Sequence, residues 1–262
     1  MRIYEISDFA IDEIEQGRFA ALKAELDTYQ GLSLAGVSIT EENIGLYCQA
    51  LSALAPHSLR FLDISRCALS DALLAQLLPV IHSLEISKLK VSSNPLTMTG
   101  YQQLLSPISS VTHLVLSHCA LNDSHALLLV PAIVACTRLK TLDLRNNHLS
   151  DNSFNLLAEQ LPALTLSSLR LKDNLPTIDC VYRFAEKLVQ SAAHTGLASI
   201  DLLEIRDDNK MRALCDRFVS EKLAPMRALV HALKHFSLSA TVATSSSSDM
   251  SSAPTHRRRF SQ

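Results

Sequence analysis

The 262 residues carry a formal net charge of −2, so no net field draws the chain to nucleic acid or anionic lipid. Hydrophobic residues make up 47 % but aromatics only 5 %, with no Trp, a balance that suits helices packed on short aliphatic strands. Cysteines at 48, 67, 119, 136, 180 and 215 form no CxxC pair and have no zinc-ligand spacing to His, which argues against a disulfide scaffold or metal site and for reduced thiols.

At the N-terminus, Glu5, Asp8, Asp12, Glu13 and Glu15 oppose the basic start of a secretory signal. Ile11, Ile14, Phe19, Leu22 and Leu26 give residues 8–27 one apolar face, broken near Gly17. Residues 1–28 are therefore expected to form a helical N-terminal cap. From residue 29 a frame repeats. Leu139 to Leu149 reads LKTLDLRNNHL, and the same spacing starts at Leu59, Ile86 and Val111. The copy at Leu166 holds until Pro176, and weaker copies start at Tyr29 and Leu197. Successive starts lie 30, 27, 25, 28, 27 and 31 residues apart. Seven copies in phase signal a solenoid of stacked supersecondary units over residues 29–205.

Within each copy the L-x-L core is a short strand whose leucines share one face. Between strands the period becomes helical, as in LSDALLAQLLPVI after Cys67 and LSDNSFNLLAEQLPAL after Asn147. Asp71, Asp123 and Asp151 stand where a short acidic side chain caps its own helix, and Pro79 and Pro162 are expected to close theirs. The longest apolar run, Ala126 to Cys136, is too short to span a bilayer. Beyond the repeats, Met211, Leu214, Cys215 and Phe218 form one helical stripe. Met226, Leu229, Val230, Leu233 and Phe236 form another, so residues 206–236 read as a C-terminal cap. Residues 237–262 are Ser-rich and end in Arg257, Arg258, Arg259 and Phe260, a composition expected to stay disordered.

The turn leaving each strand carries Cys67, Asn94, Cys119, Asn147 and Asn174, with Val37 and Ile205 in the end copies. An amide there can bond backbone groups of its own turn and of its neighbour. This alternation of Asn and Cys resembles the ribonuclease-inhibitor-like subfamily of leucine-rich-repeat proteins. The resemblance implies an α/β horseshoe with parallel strands on the concave face and helices on the convex face. It implies a cytoplasmic protein-binding module, monomeric when free. The uneven repeats and the short basic tail also resemble leucine-rich-repeat effectors of intracellular bacteria, which implies secretion into a host cell.

The candidate partner-binding residues lie on the outward columns of the sheet: Arg60, Phe61, Asp63, Arg66, Lys88, Lys90, His113, Val115, His118, Asp143, Arg145, Arg170, Lys172, Asp201 and Glu204. Asp63 can pair with Lys90, and Asp143 with Arg170 and Asp201, while Phe61, Val115 and Leu203 offer apolar anchors. Cys119, His118 and Asp143 can be written as a catalytic trio, but the frame turns Cys119 inward and His118 outward, against a nucleophile–base bond. The expected function is therefore non-catalytic: binding and restraint of a protein partner, an enzyme among the candidates, without cofactor, metal, nucleic acid or membrane. The alternative is a GTPase-activator-like regulator or an adaptor that recruits a host protein.

Overall fold

The computed structural model describes residues 3–5, 11, 14, 17, 29–105, 110–191, 197 and 199–202. Eight three-residue strands run parallel, in chain order, in one sheet: β1 (Ile3–Glu5), β2 (Gly31–Ser33), β3 (Phe61–Asp63), β4 (Lys88–Lys90), β5 (His113–Val115), β6 (Thr141–Asp143), β7 (Ser168–Arg170) and β8 (Ser199–Asp201). Among the described residues six helices lie between the strands: α1 (Ile44–Ser52), α2 (Asp71–Ser83), α3 (Met98–Leu105), α4 (Asp123–Ala135), α5 (Asp151–Gln160) and α6 (Ile178–Gln190). Strands sit about 4.8 Å apart, whereas packed helices need about 8–10 Å. Each of the six helices packs on the next in order, so the stack must curve with the sheet inside. The expected α/β leucine-rich-repeat solenoid is the observed architecture.

The sequence reading assigns residues 1–28 to a helical cap, yet Ile3–Glu5 pair with Gly31–Ser33 and add a strand ahead of the seven repeats. Parallel pairing needs only extended backbone, so a strand without the leucine frame leaves no sequence signature. Gly17 sits in a turn at φ 69° and donates to the Ile14 carbonyl at 3.0 Å. The rest of the N-terminal cap, the C-terminal cap over 206–236, the tail over 237–262 and the Ile205 slot lie outside the described residues.

Leu32, Leu62, Leu89, Leu114, Leu142, Leu169 and Ile200 stack in one register at the strand centres, all buried. The polar slot beside them is satisfied in full. Asn147 Nδ2 donates to the carbonyls of Leu144 (2.8 Å) and Leu116 (2.9 Å), and its Oδ1 accepts from the N–H groups of Cys119 (2.9 Å) and Leu121 (3.0 Å). Asn94 makes the same four bonds one pair of repeats earlier, to Val91, Ile64, Cys67 and Leu69. One amide thus closes its own turn and two donors of the preceding one. In the alternate repeats a thiol fills the slot, and Cys67 Sγ donates to the Leu34 carbonyl at 3.1 Å. Burial pushes the Cys67 thiol up to about 12 and raises Cys119 as well.

The residue before each slot adopts positive φ, from 54° at Asn146 to 58° at Asp173, with Gly36 at 88° in the first copy. This aims its N–H at the next repeat: Arg66 donates to the Ser92 carbonyl at 2.9 Å and Asn146 to that of Lys172 at 3.0 Å. A non-glycine residue there costs roughly 1–2 kcal/mol, which the inter-repeat bond offsets.

The aspartates act differently from the sequence expectation. The helix caps are Ser70, Asn122 and Ser150. Asp71, Asp123 and Asp151 are the first helical residues, and each carboxylate reaches the start of the following helix. Asp71 accepts from the Thr97 N–H at 2.9 Å, Asp151 from the Thr177 N–H at 2.6 Å and hydroxyl at 2.7 Å. Asp123 takes the Ser150 N–H at 2.9 Å, the Asn152 amide at 3.3 Å and the hydroxyls of Ser150 and Ser153. Gly100 is required beside one such staple, since a Cβ there would lie 2.2 Å from Asp71 Oδ1. The junction between α3 and α4 has Met98 in place of the aspartate. There Tyr101 donates to the Cys119 carbonyl at 3.3 Å and meets the His125 ring edge-on at 5.6 Å. One proline departs from expectation: Pro79 lies inside α2, which runs on to Ser83, whereas α5 ends at Gln160, just before Pro162 in the 3-10 turn Leu161–Ala163.

Two outcomes follow. Asn147→Ala should destabilise the fold by about 1–3 kcal/mol, because four buried backbone groups lose their partner; denaturant unfolding checks it. Burial alone would raise the Asp123 carboxyl, but the Ser150 and Ser153 hydroxyls prevail and hold it at about 2 against an ordinary 3.8. A depressed carboxylate stabilises above its ordinary range and loses that contribution on acidification. The wild type should therefore exceed Asp123→Asn by about 1 kcal/mol at neutral pH, after solvent screening. The gap should close between about pH 4 and pH 2, as followed by unfolding at a series of pH values.

Candidate functional site

Register places the outward residues of β2 to β8 in two columns. One runs Gly31, Phe61, Lys88, His113, Thr141, Ser168, Ser199; the other runs Ser33, Asp63, Lys90, Val115, Asp143, Arg170, Asp201. Arg60, Arg66, His118, Arg145 and Lys172 flank the strands at the two rims. Thus 14 of the 15 sequence-predicted site residues are described and share one face; Glu204 and the Leu203 anchor lie outside the described residues.

Three of them serve from beneath that face. Phe61 is 4 % exposed with the Lys88 ammonium 4.9 Å from its ring centroid, so it holds a cation by its π-face and offers no apolar anchor. Asp63, 5 % exposed, accepts from Lys90 Nζ at 2.6 Å and from the Ser65 N–H at 3.0 Å. Asp143 is 1 % exposed. Arg145 grips it with two parallel bonds, Nε to Oδ1 at 3.0 Å and Nη2 to Oδ2 at 2.8 Å, and Arg170 Nη1 adds a third at 3.4 Å. Strand spacing foretells the ties of Asp63 to Lys90 and Asp143 to Arg170. The stronger clasp by Arg145 comes from a residue two positions along the same chain, whose side chain folds back over the sheet.

The electrostatics follow from this packing. Burial alone would raise the Asp143 carboxyl, but the bonds from Arg145 and the charge of Arg170 hold it below its ordinary value. Asp201 goes the other way: burial outweighs Arg145, Lys172 and Arg170 and lifts it. His113 is lowered by burial and then by the positive charges of Lys88 and Arg170. Val115 is half-buried, while Arg60, Arg66, His113, His118 and Arg170 are exposed. Lys140 occupies the same frame position as Arg60 and is exposed, although the sequence selection omits it.

The written trio of Cys119, His118 and Asp143 is not assembled. Cys119 Sγ lies 3.4 Å from the Ser117 carbonyl while His118 stands exposed. Among the described residues no group of three His, Cys, Asp or Glu could hold a metal ion, and no helix is long and apolar enough to cross a membrane.

Parallel strands inside, helices outside and an Asn/Cys ladder between them define a leucine-rich-repeat protein of the ribonuclease-inhibitor-like type. More narrowly, the chain belongs to the PRAME C-terminal domain family, whose model matches residues 9–192. It is 31 % identical over 140 residues to mouse leucine-rich repeat-containing protein 14, covering 52 % of this chain and 26 % of that one. It is 33 % identical over 150 residues to mouse ribonuclease inhibitor, covering 54 % and 32 %. The chain thus spans about a quarter to a third of the length of these curated relatives. The solved actin-binding site 2 of leiomodin-1 superposes with a TM-score of 0.44 at 14 % identity, covering 65 % of this chain and 96 % of that one. These relatives bear on the ribonuclease-inhibitor-like half of the sequence resemblance and not on the bacterial-effector half.

Arg145→Ala should release the buried carboxylate it clasps. Burial then outweighs Arg170, and the Asp143 titration should move upward, which carbon-detected NMR of the Asp143 carboxyl measures. With its titration raised by burial, the ionised carboxylate costs stability at neutral pH, so the variant should regain part of that loss as the pH falls through the raised value.

Proposed function

We propose that this chain is a non-catalytic module that seats a protein partner against its concave face and restrains it. The observation that carries the reading is the pre-set geometry of the outward charges. Buried Asp143 and Asp63 fix Arg145, Arg170 and Lys90 in place before any partner arrives. Side chains already held lose less freedom on binding, so more of the contact energy appears as affinity. A rigid sheet with Arg side chains and the half-buried Val115 at its centre is suited to a protein surface. The name of the mouse relative denotes an inhibitor of ribonuclease, which supports restraint of an enzyme as the mode of action. The free, buried thiols of Cys67 and Cys119 suit a reducing compartment such as the cytoplasm.

The test is a steric wedge. Val115→Trp fills the centre of the face, while Gln102→Trp adds the same bulk on exposed α3 of the convex side. Partners captured by the purified protein should form a stoichiometric complex, visible by native mass spectrometry, that Val115→Trp abolishes and Gln102→Trp leaves intact. Equal binding by both variants would move the interface off the concave face. Turnover of a captured nucleotide-binding partner, accelerated by the wild type, would favour the regulator reading over simple restraint.

A further inference from the structure

The charges of the described repeats are sorted by face. Between residues 29 and 191 the chain holds eleven Lys and Arg residues. Eight of them stand on the strand-bearing face or its rims, although the whole chain is formally −2. They fall into two clusters. Arg60, Arg66, Lys88 and Lys90 sit on the β3 and β4 repeats; Lys140, Arg145, Arg170 and Lys172 sit on the β6 and β7 repeats. The β5 repeat between them contributes His113, Val115 and His118 but neither Lys nor Arg, so the cluster centres lie about 14 Å apart at ordinary strand spacing.

Acidic groups show the reverse distribution. Of the twelve Asp and Glu residues in the same span, Asp63, Asp143 and Asp173 lie on this face, and the first two are buried under the cations they hold. Asp201 lies beyond them, on β8. Helices α1 to α4 contain no Lys, Arg or Glu, so between residues 44 and 135 every Lys and Arg lies on the strand-bearing face or its rims. The downward push of Lys88 and Arg170 on His113, across the middle repeat, is the local sign of that potential.

Resting on the concave-face reading, we infer that the partner presents an acidic protein surface, with two carboxylate clusters spaced to meet the β3/β4 and β6/β7 cations across a less charged centre. A protein fits better than a nucleic acid. The face is interrupted by Asp173 and Asp201, which repel a continuous phosphate backbone but leave room for discrete carboxylates, and its Arg side chains are fixed in direction by Asp143 instead of tracking a polyanion.

The experiment uses the full chain and three fluorescein-labelled probes of matched length: polyglutamate, polylysine and a single-stranded oligonucleotide. Polyglutamate should bind, with affinity falling about tenfold from low to physiological salt. The double variant Arg60→Glu/Lys140→Glu, with one exposed residue from each cluster, should weaken it at least about tenfold. Lys187→Glu, on the exposed side of α6, should leave it unchanged. Preference for polylysine, equal or tighter binding of the oligonucleotide, no binding of polyglutamate, or indifference to the double reversal would each overturn the proposal. The two readings separate on a captured partner. Binding lost in Val115→Trp but insensitive to salt and to the double reversal keeps the concave face and discards the acidic surface. Binding untouched by either variant discards both.

Discussion

A buried primary amide in the turn after β4, β6 and β7 governs the rest of this structure. Asn94 and Asn147 each sit in an apolar wedge where an unmet polar group would cost about 1–3 kcal/mol, and each meets four backbone groups, one in its own turn and three in the turn before. A repeat that carries Asn therefore completes the repeat behind it. This explains why Cys suffices in alternate slots. The donors of the Cys67 turn are taken by Asn94 and those of the Cys119 turn by Asn147, so the thiol need only fill space and offer one weak bond. Where Cys119 follows Asn94, Leu96 turns its N–H to the Asn94 carbonyl of its own turn at 2.9 Å. Stability in such a stack is a chain of nearest-neighbour terms, and the amide is the polar part of that coupling.

A second coupling runs along the helix starts. Asp71, Asp123 and Asp151 hand their carboxylates forward to the next repeat, whereas the asparagines reach backward. Adjacent repeats are tied at both ends of their strand-to-helix path, which fixes the angle between them as well as their spacing. At the α3–α4 junction the tie becomes a buried Tyr hydroxyl and an edge-on Tyr–His contact. That junction is coupled by packing more than by charge.

The same economy shapes the outward face. Because the strands are only three residues long and pair in unbroken register, the side chains of each column are near neighbours. A carboxylate placed in a column is then covered by the longer cations beside it. Asp63 and Asp143 disappear from the surface while their counter-charges remain on it, oriented. A face whose composition reads as mixed-charge thus presents itself as cationic, and this bears more on what the protein binds than does the net charge of the chain.

The sequence by itself determined the solenoid. The leucine frame and the Asn/Cys slot are local, periodic demands, and a pattern repeated in phase can be satisfied only by stacking. Leu142, Leu144 and Asn147 could be assigned their inward places from spacing alone, as could the pairing of Asp63 with Lys90. What spacing does not carry is the reach of a side chain. The forward grip of Asp123, the clasp of Arg145 on Asp143 and the burial of Phe61 under Lys88 depend on which neighbour a flexible group finds once the repeats are stacked. The strand at Ile3–Glu5 is formed by backbone pairing without any leucine frame to announce it. Tertiary structure decided these because they are contacts between units, made by groups whose local sequence permits several partners and whose final choice follows from burial.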